Sequence, residues 1–179
     1  MVQRFYNQRR QNILNASPNL AHQLIAQLEN RCDVQIITQN IDDLHERAGS
    51  SSVLHLHGNI RLAKSSGPNA QYTAEFYPIQ GAALDLEKDK CPAGYALRPH
   101  VVWFGEALPL AVLEAAQQAA RACDLMLVVG TAGAVYPAAG LARLAREAGT
   151  QVAVLNPAPS ELDDAAHAVL RGTAAQCLP

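Results

Sequence analysis

The chain has 179 residues, 49% of them apolar, and its 14 Lys+Arg against 16 Asp+Glu leave a net charge of −2. That length suits one domain, or one domain with a small lobe. The balanced charge gives no ground for a nucleic-acid or anionic-membrane partner, and no apolar run reaches the roughly 18 residues of a membrane-crossing helix.

Residues 1–10 are polar and basic with no apolar stretch behind them, so they do not read as a signal peptide, and the expected compartment is the cytoplasm. Residues 1–30 read as helical, with a first turn around Phe5 to Arg10. A second helix is predicted to start near Ser17-Pro18, an N-cap followed by proline at the first helical position. Leu20, Leu24, Ile25 and Leu28 then share one face. Residues 34–38 form a short apolar strand that ends in a polar loop. Residues 61–97 read as an irregular inserted lobe, held by apolar contacts of Tyr72, Phe76, Tyr77 and Ile79. Residues 98–106 are extended. Residues 110–122 form an alanine-rich amphipathic helix.

The continuous apolar run at 124–130 predicts a buried strand of a parallel sheet. A loop at 131–136 precedes a predicted helix at 137–148, with Pro137 at its start and Gly149 as its C-cap. Residues 151–155 are another strand, and residues 160–170 a helix opened by the box-like Ser160-x-x-Asp163. Alternating strands and helices predict an α/β fold, a Rossmann-like doubly wound parallel sheet. The expected division is 1–30 as the helical part of a small lobe, 31–60 and 98–179 as the core, and 61–97 as an insertion. Ligands of such sheets bind beyond the carboxyl ends of strands, where the loops 38–45, 130–136 and 155–159 fall. Cys32, Cys91, Cys123 and Cys177 are far apart and form no Cys-x-x-Cys. Cys32 and Cys123 are expected as small core residues, without a disulfide framework.

Gln39, Asn40 and Asp42 stand just past a strand end, where carboxamides and a carboxylate can hold ribose hydroxyls and an amide. His57 is close enough in sequence to take a hydroxyl proton, because imidazole titrates near neutrality. Tyr6 and Arg9, three apart on a helix, share a face and can clamp a carboxylate.

The run Thr38-Gln39-Asn40-Ile41-Asp42-Asp43-Leu44-His45, followed by Leu56-His57-Gly58, closely resembles the sirtuins, NAD-dependent enzymes that strip acyl groups from lysine. The likeness extends along almost the whole chain. Residues 98–106 are similar to the sirtuin segment that pairs with the acyl-lysine peptide as an added strand, which assigns Val101, Phe104, Gly105 and Glu106 to substrate. Gly130, Thr131 and Ala132 resemble a cofactor loop, Asn156 a strand-end ribose ligand, and Ala174 part of the turn near adenine. The resemblance implies that His57 is the base on the nicotinamide ribose, where the acyl oxygen attacks as nicotinamide leaves. It implies that Gln39 binds ribose, Asn40 a water or ribose group, and Asp42 the nicotinamide amide, with Ile41 in the same cofactor loop. His55 is expected to be structural. Tyr6-x-x-Arg9 resembles the pair by which class III sirtuins read succinyl- or malonyl-lysine.

The sequence also departs from the family. One cysteine, Cys91, stands where most sirtuins carry two Cys-x-x-Cys pairs, so no zinc is expected. Ala132 and Ala158 replace residues that are more polar in the family, each removing about 1 kcal/mol of hydrogen bonding to NAD. The Gly-Ala-Gly-x-Ser loop and the Pro-Asp-Phe-Arg segment precede the matching region in sirtuins, so the chain is expected to be an amino-terminally partial copy. The resemblance therefore implies NAD-dependent deacylation of acyl-lysine proteins. A catalytically incompetent binding module and a protein ADP-ribosyltransferase stay open beside it.

Overall fold

The computed structural model describes residues 1–68 and 75–178. Helices α1 (Val2–Asn15) and α2 (Leu20–Leu28) open the chain. The second starts later than Ser17-Pro18 predicts. Asn19 is its N-cap and exchanges hydrogen bonds with His22 in a capping box. A free Asx oxygen aimed at the third helical N–H outcompetes the proline signal two residues earlier.

Strand β1 (Ile36–Thr38) leads through α3 (Leu44–Ala48) to β2 (Val53–His55), which pairs with it in parallel. Next come β3 (Gly58–Ser65), β4 (Tyr77–Pro78) and β5 (Leu97–Val101), in the antiparallel order β4-β3-β5. The interval 61–97 is thus not irregular throughout. Its strands form because Ala63, Ile79, Leu84, Cys91 and Leu97 make a small core of their own, with Tyr77 against it. Of the four residues expected to hold this lobe, Ile79 and Tyr77 do so. Phe76 instead is 40% exposed and stacks on His100 at 4.0 Å, while Tyr72 lies outside the described residues.

The lobe is also held by polar ties from α1 that hydrophobic patterning does not reveal. Gln3 and Asn7 donate to the Leu84 carbonyl. Arg10 donates to the carbonyls of Ile60 and Ala82 at 2.7 Å each. Positions 3, 7 and 10 lie on one helical face. That face is polar because it meets backbone carbonyls of β3 and of the loop after β4 and supplies them with donors.

Gly58 shows why a glycine follows His57. Its φ is +86°, and a Cβ there would stand 2.2 Å from the His100 carbonyl oxygen of β5. Gly58→Ala is expected to destabilise the fold by more than about 2 kcal/mol, read as a lowered urea midpoint at unchanged slope.

Helix α4 (Leu110–Ala122) has the predicted bounds, and β6 (Leu125–Val129), β7 (Gln151–Leu155) and β8 (Ala168–Leu170) form a parallel sheet in that order. Between β6 and β7, helix α5 (Gly140–Glu147) begins three residues after Pro137, and its C-cap is Ala148. Gly149, at φ +91°, follows that cap and closes the last turn by donating to Arg146. Ala116, Ala120, Ala142 and Ala145 are buried in the main core with Val152 and Val154. Small side chains at these positions let α4 and α5 approach each other and the sheet closely.

Two predicted elements differ. Residues 160–170 are not a helix. Ser160 and Asp163 do bond reciprocally in part, the Ser160 N–H donating to Asp163, but one 3-10 turn, Asp163–Ala165, follows and the chain becomes β8. Pairing of Ala168, Val169 and Leu170 with Ala153, Val154 and Leu155 satisfies the far edge of β7, which a helix could not do. β6 is also less buried than predicted: Leu125 is 55% and Leu127 38% exposed. Met126 and Val128 pack on the main core, whereas the opposite face at 125 and 127 is uncovered. Among the described residues β6 pairs with β7 alone, and β1 with β2 alone. Helix α6 (Ala174–Cys177) ends the described chain. All four cysteines are free, and Cys32 is exposed in the turn that follows α2 rather than in a core.

Candidate functional site

The carboxyl ends of β1, β2, β6 and β7 carry most of the residues singled out in the sequence. β1 delivers Gln39 and Asn40, β2 leads into His57, β6 into Gly130 and Thr131, and β7 into Asn156. Gln39 spans the two parallel sheets by donating from Nε2 to the Thr131 hydroxyl at 3.4 Å. This bond joins loops 92 residues apart and brings the two halves of the candidate site together.

His57 is half-buried, and its Nδ1 lies 3.0 Å from the Gln39 carbonyl oxygen. A carbonyl only accepts, so Nδ1 carries the proton in this contact. In the neutral ring Nε2 is then the basic nitrogen. His55 differs. Its Nε2 meets Glu46 Oε1 at 2.6 Å, tying α3 to β2, and its Nδ1 meets the Asn40 carbonyl of the loop after β1 at 3.4 Å, so both nitrogens are engaged.

Asp42 is half-buried and accepts from the Leu44 N–H at the start of α3. One carboxylate oxygen holds the turn and leaves the other for a ligand. His22 and His45 face each other nearby, ring centroids 4.8 Å apart. Burial holds both below the usual histidine range, and the Asp42 charge works against that shift. Asn40 and Ala132 are exposed, and Ile41 is half-buried with its carbonyl accepting from Ile60. Gly130 takes φ +64°, and a Cβ there would meet open space. Asn156 is buried and donates to the Ala158 carbonyl at 2.8 Å, so its side chain shapes the 156–158 turn. Ala174 starts α6, whose N-cap Thr173 is boxed by Gln176.

A second group lies across β5. The segment after Val101 turns at 103–106, where Glu106 accepts from the Trp103 N–H at 3.0 Å. Phe104 is fully exposed at its tip, beside Gly105 with φ +86°. Tyr6 of α1 stacks on Trp103, centroids 6.5 Å apart and planes 16° from parallel. The helix that carries Tyr6 and Arg9 thus meets the turn that carries Phe104, Gly105 and Glu106. Arg9 is exposed on that helix, whereas its neighbour Arg10 is fully buried. Sequence reasoning missed Arg10, Arg98 and Trp103. The spacing of Gln3, Asn7 and Arg10 on one face was the available signal for the first. Among the described residues no group of three or more His, Cys, Asp or Glu side chains is placed to hold a metal ion.

Parallel strands whose carboxyl ends present a carboxamide, a carboxylate and an oriented imidazole define a Rossmann-like ligand-binding protein. A family model described as the Sir2 family matches residues 1–137. Over 183 residues the chain is 45% identical to an NAD-dependent protein deacylase of Ralstonia nicotianae, covering all of this chain and 71% of that protein. A protein of the same name from Pyrococcus furiosus is 45% identical over 182 residues, again covering all of this chain and 72% of its own. Among solved structures, a Sir2 homolog–NAD complex superposes with a TM-score of 0.90 at 38% identity, covering 99% of this chain and 68% of that one. A Sir2–p53 peptide–NAD+ structure gives 0.78 at 31% identity, covering 92% and 69%. The chain belongs to the Sir2 family, and its fold is the family's Rossmann-like α/β fold.

Proposed function

We propose that this chain is an NAD-dependent protein-lysine deacylase that prefers acidic acyl groups, succinyl or malonyl. The observation that carries the reading is the His57–Gln39 contact, which leaves a basic imidazole nitrogen at the carboxyl end of parallel strands. The relatives' shared name and the NAD-bound structural neighbours support the cofactor. The donor set fits it: Gln39, Asn40 and Thr131 offer hydrogen bonds to ribose hydroxyls, and Asp42 has an oxygen to spare for a carboxamide. Gly130 lets backbone approach a ligand closely. Ala132, Asn156 and Ala174 line the loops assigned to the adenosine side.

When bound, NAD supplies an electrophilic ribose carbon and nicotinamide as the leaving group. The Gln39 carbonyl holds the His57 tautomer, and Nε2 accepts the hydroxyl proton. The backbone of Val101 to Glu106 lies along the acyl-lysine peptide, with Phe104 at the peptide's flank. Tyr6 and Arg9 receive the distal carboxylate, the guanidinium by paired hydrogen bonds.

The test compares succinyl-, malonyl- and acetyl-lysine peptides with NAD, following nicotinamide release. The two acidic peptides are expected to lead. Arg9→Met is expected to lower kcat/KM for the succinyl peptide by roughly 30- to 100-fold, the worth of a charge-assisted pair, with the acetyl peptide changed less than about threefold. Equal loss on both peptides would refute the acid-reading role, and absence of nicotinamide release from all three would refute the deacylase reading itself.

A further inference from the structure

Arg98 sits on β5, directly across from Lys64 of β3. Two cations facing each other across an antiparallel pair repel. Burial, with the facing Arg98 charge adding to it, holds the Lys64 ammonium below the usual lysine range, and Glu106 opposes the shift. Something must draw the Arg98 side chain into this position, and three contacts do so. Its Nη2 meets Glu106 Oε1 at 2.6 Å, its Nη1 donates to the Val101 carbonyl at 3.3 Å, and its guanidinium carbon lies over the Trp103 ring, 4.4 Å from the centroid. Glu106 uses its other oxygen on the Trp103 N–H. One guanidinium and one carboxylate thus hold both the backbone and the ring of the residue that Tyr6 stacks on.

Trp103 needs such a hold. Among the described residues it lines an open cleft of about 460 Å³ with Ser66, Pro68 and Leu86, so its ring is not close-packed on all sides. Arg98 and Glu106 line the same cleft. A planar cation over an indole and paired to a carboxylate restrains the ring in a way that an aliphatic side chain or an ammonium cannot.

We propose that Arg98 is a positioning residue for acyl recognition: clamped by Glu106, it keeps Trp103 against Tyr6 and so sets where the Tyr6 phenol meets the acyl group. This rests on the deacylase reading above. Its first readout does not. Trp103 is the one tryptophan in the chain, so intrinsic fluorescence reports the clamp in the protein alone. Arg98→Met is expected to change the emission maximum and to raise acrylamide quenching, with Arg98→Lys between it and the natural protein. The unfolding curve of each variant, followed by far-ultraviolet circular dichroism, confirms that the folded state is the one measured. In turnover, Arg98→Met is expected to raise KM for the succinyl peptide by about fivefold, a magnitude typical of a cation–π contact, with KM for NAD and kcat within about twofold. Emission and quenching unchanged in folded Arg98→Met would overturn the proposal, whether or not any peptide turns over. Equal rises in KM for NAD and peptide would overturn it as well, since they mark a general loss of structure. If the natural chain turns over no peptide, the deacylase reading fails, and the fluorescence result still decides the clamp.

Discussion

His57→Ala is expected to cut turnover of an acylated peptide by roughly 10²- to 10⁴-fold, the usual worth of a positioned general base. The imidazole is oriented by backbone, through the Gln39 carbonyl at 3.0 Å. That carbonyl belongs to the loop whose side chain reaches Thr131. The neighbouring His55 instead spends its ring on Glu46 and Asn40. Single-turnover rates with saturating NAD separate the chemical step from binding. The loss should fall on the rate, with NAD affinity within about threefold. A His57→Ala protein that turns over within tenfold of the natural rate would remove His57 from the catalytic role. His55→Ala is the control and is expected to act chiefly on stability.

The second large effect is structural. Arg10→Met is expected to destabilise the protein by about 3–5 kcal/mol, because the side chain is fully buried and its Nε and Nη1 tie the carbonyls of Ile60 and Ala82 to α1. For a domain of this size the melting temperature should fall by roughly 10 °C. Burial, with the Arg61 charge adding to it, lowers the Arg10 pKa to about 10, so the guanidinium stays charged at neutral pH. Arg10→Lys keeps the charge but cannot span Ile60 and Ala82 together, and should recover less than half of the loss. Exposed Arg9→Met in the same helix is the matched comparison and should melt within about 2 °C of the natural chain. A fall under about 3 °C for Arg10→Met would mean that water or a rearranged loop replaces its bonds.

Sequence by itself determined the family, the α/β class and the polar cluster that follows β1, because those depend on local patterns: an apolar run of strand length, a Gln-Asn-Ile-Asp turn, and a histidine before a glycine. The bounds of α4 and β7 were equally legible, since an amphipathic helix and a bounded apolar strand show themselves within a short window. What only the tertiary structure decided concerns partners far apart in the chain. The segment at 168–170 is a strand because β7 has an edge to fill, although its local pattern reads as helix. Arg10 is buried and Arg9 exposed because α1 turns its polar face to the carbonyls at 60, 82 and 84, and adjacent residues on a helix point about 100° apart. Tyr6 meets Trp103, and Gln39 meets Thr131, across more than ninety residues of chain. Hydrophobic periodicity records which face of an element is covered. It does not record by what, and a buried polar group is intelligible only once the atoms it satisfies are in view.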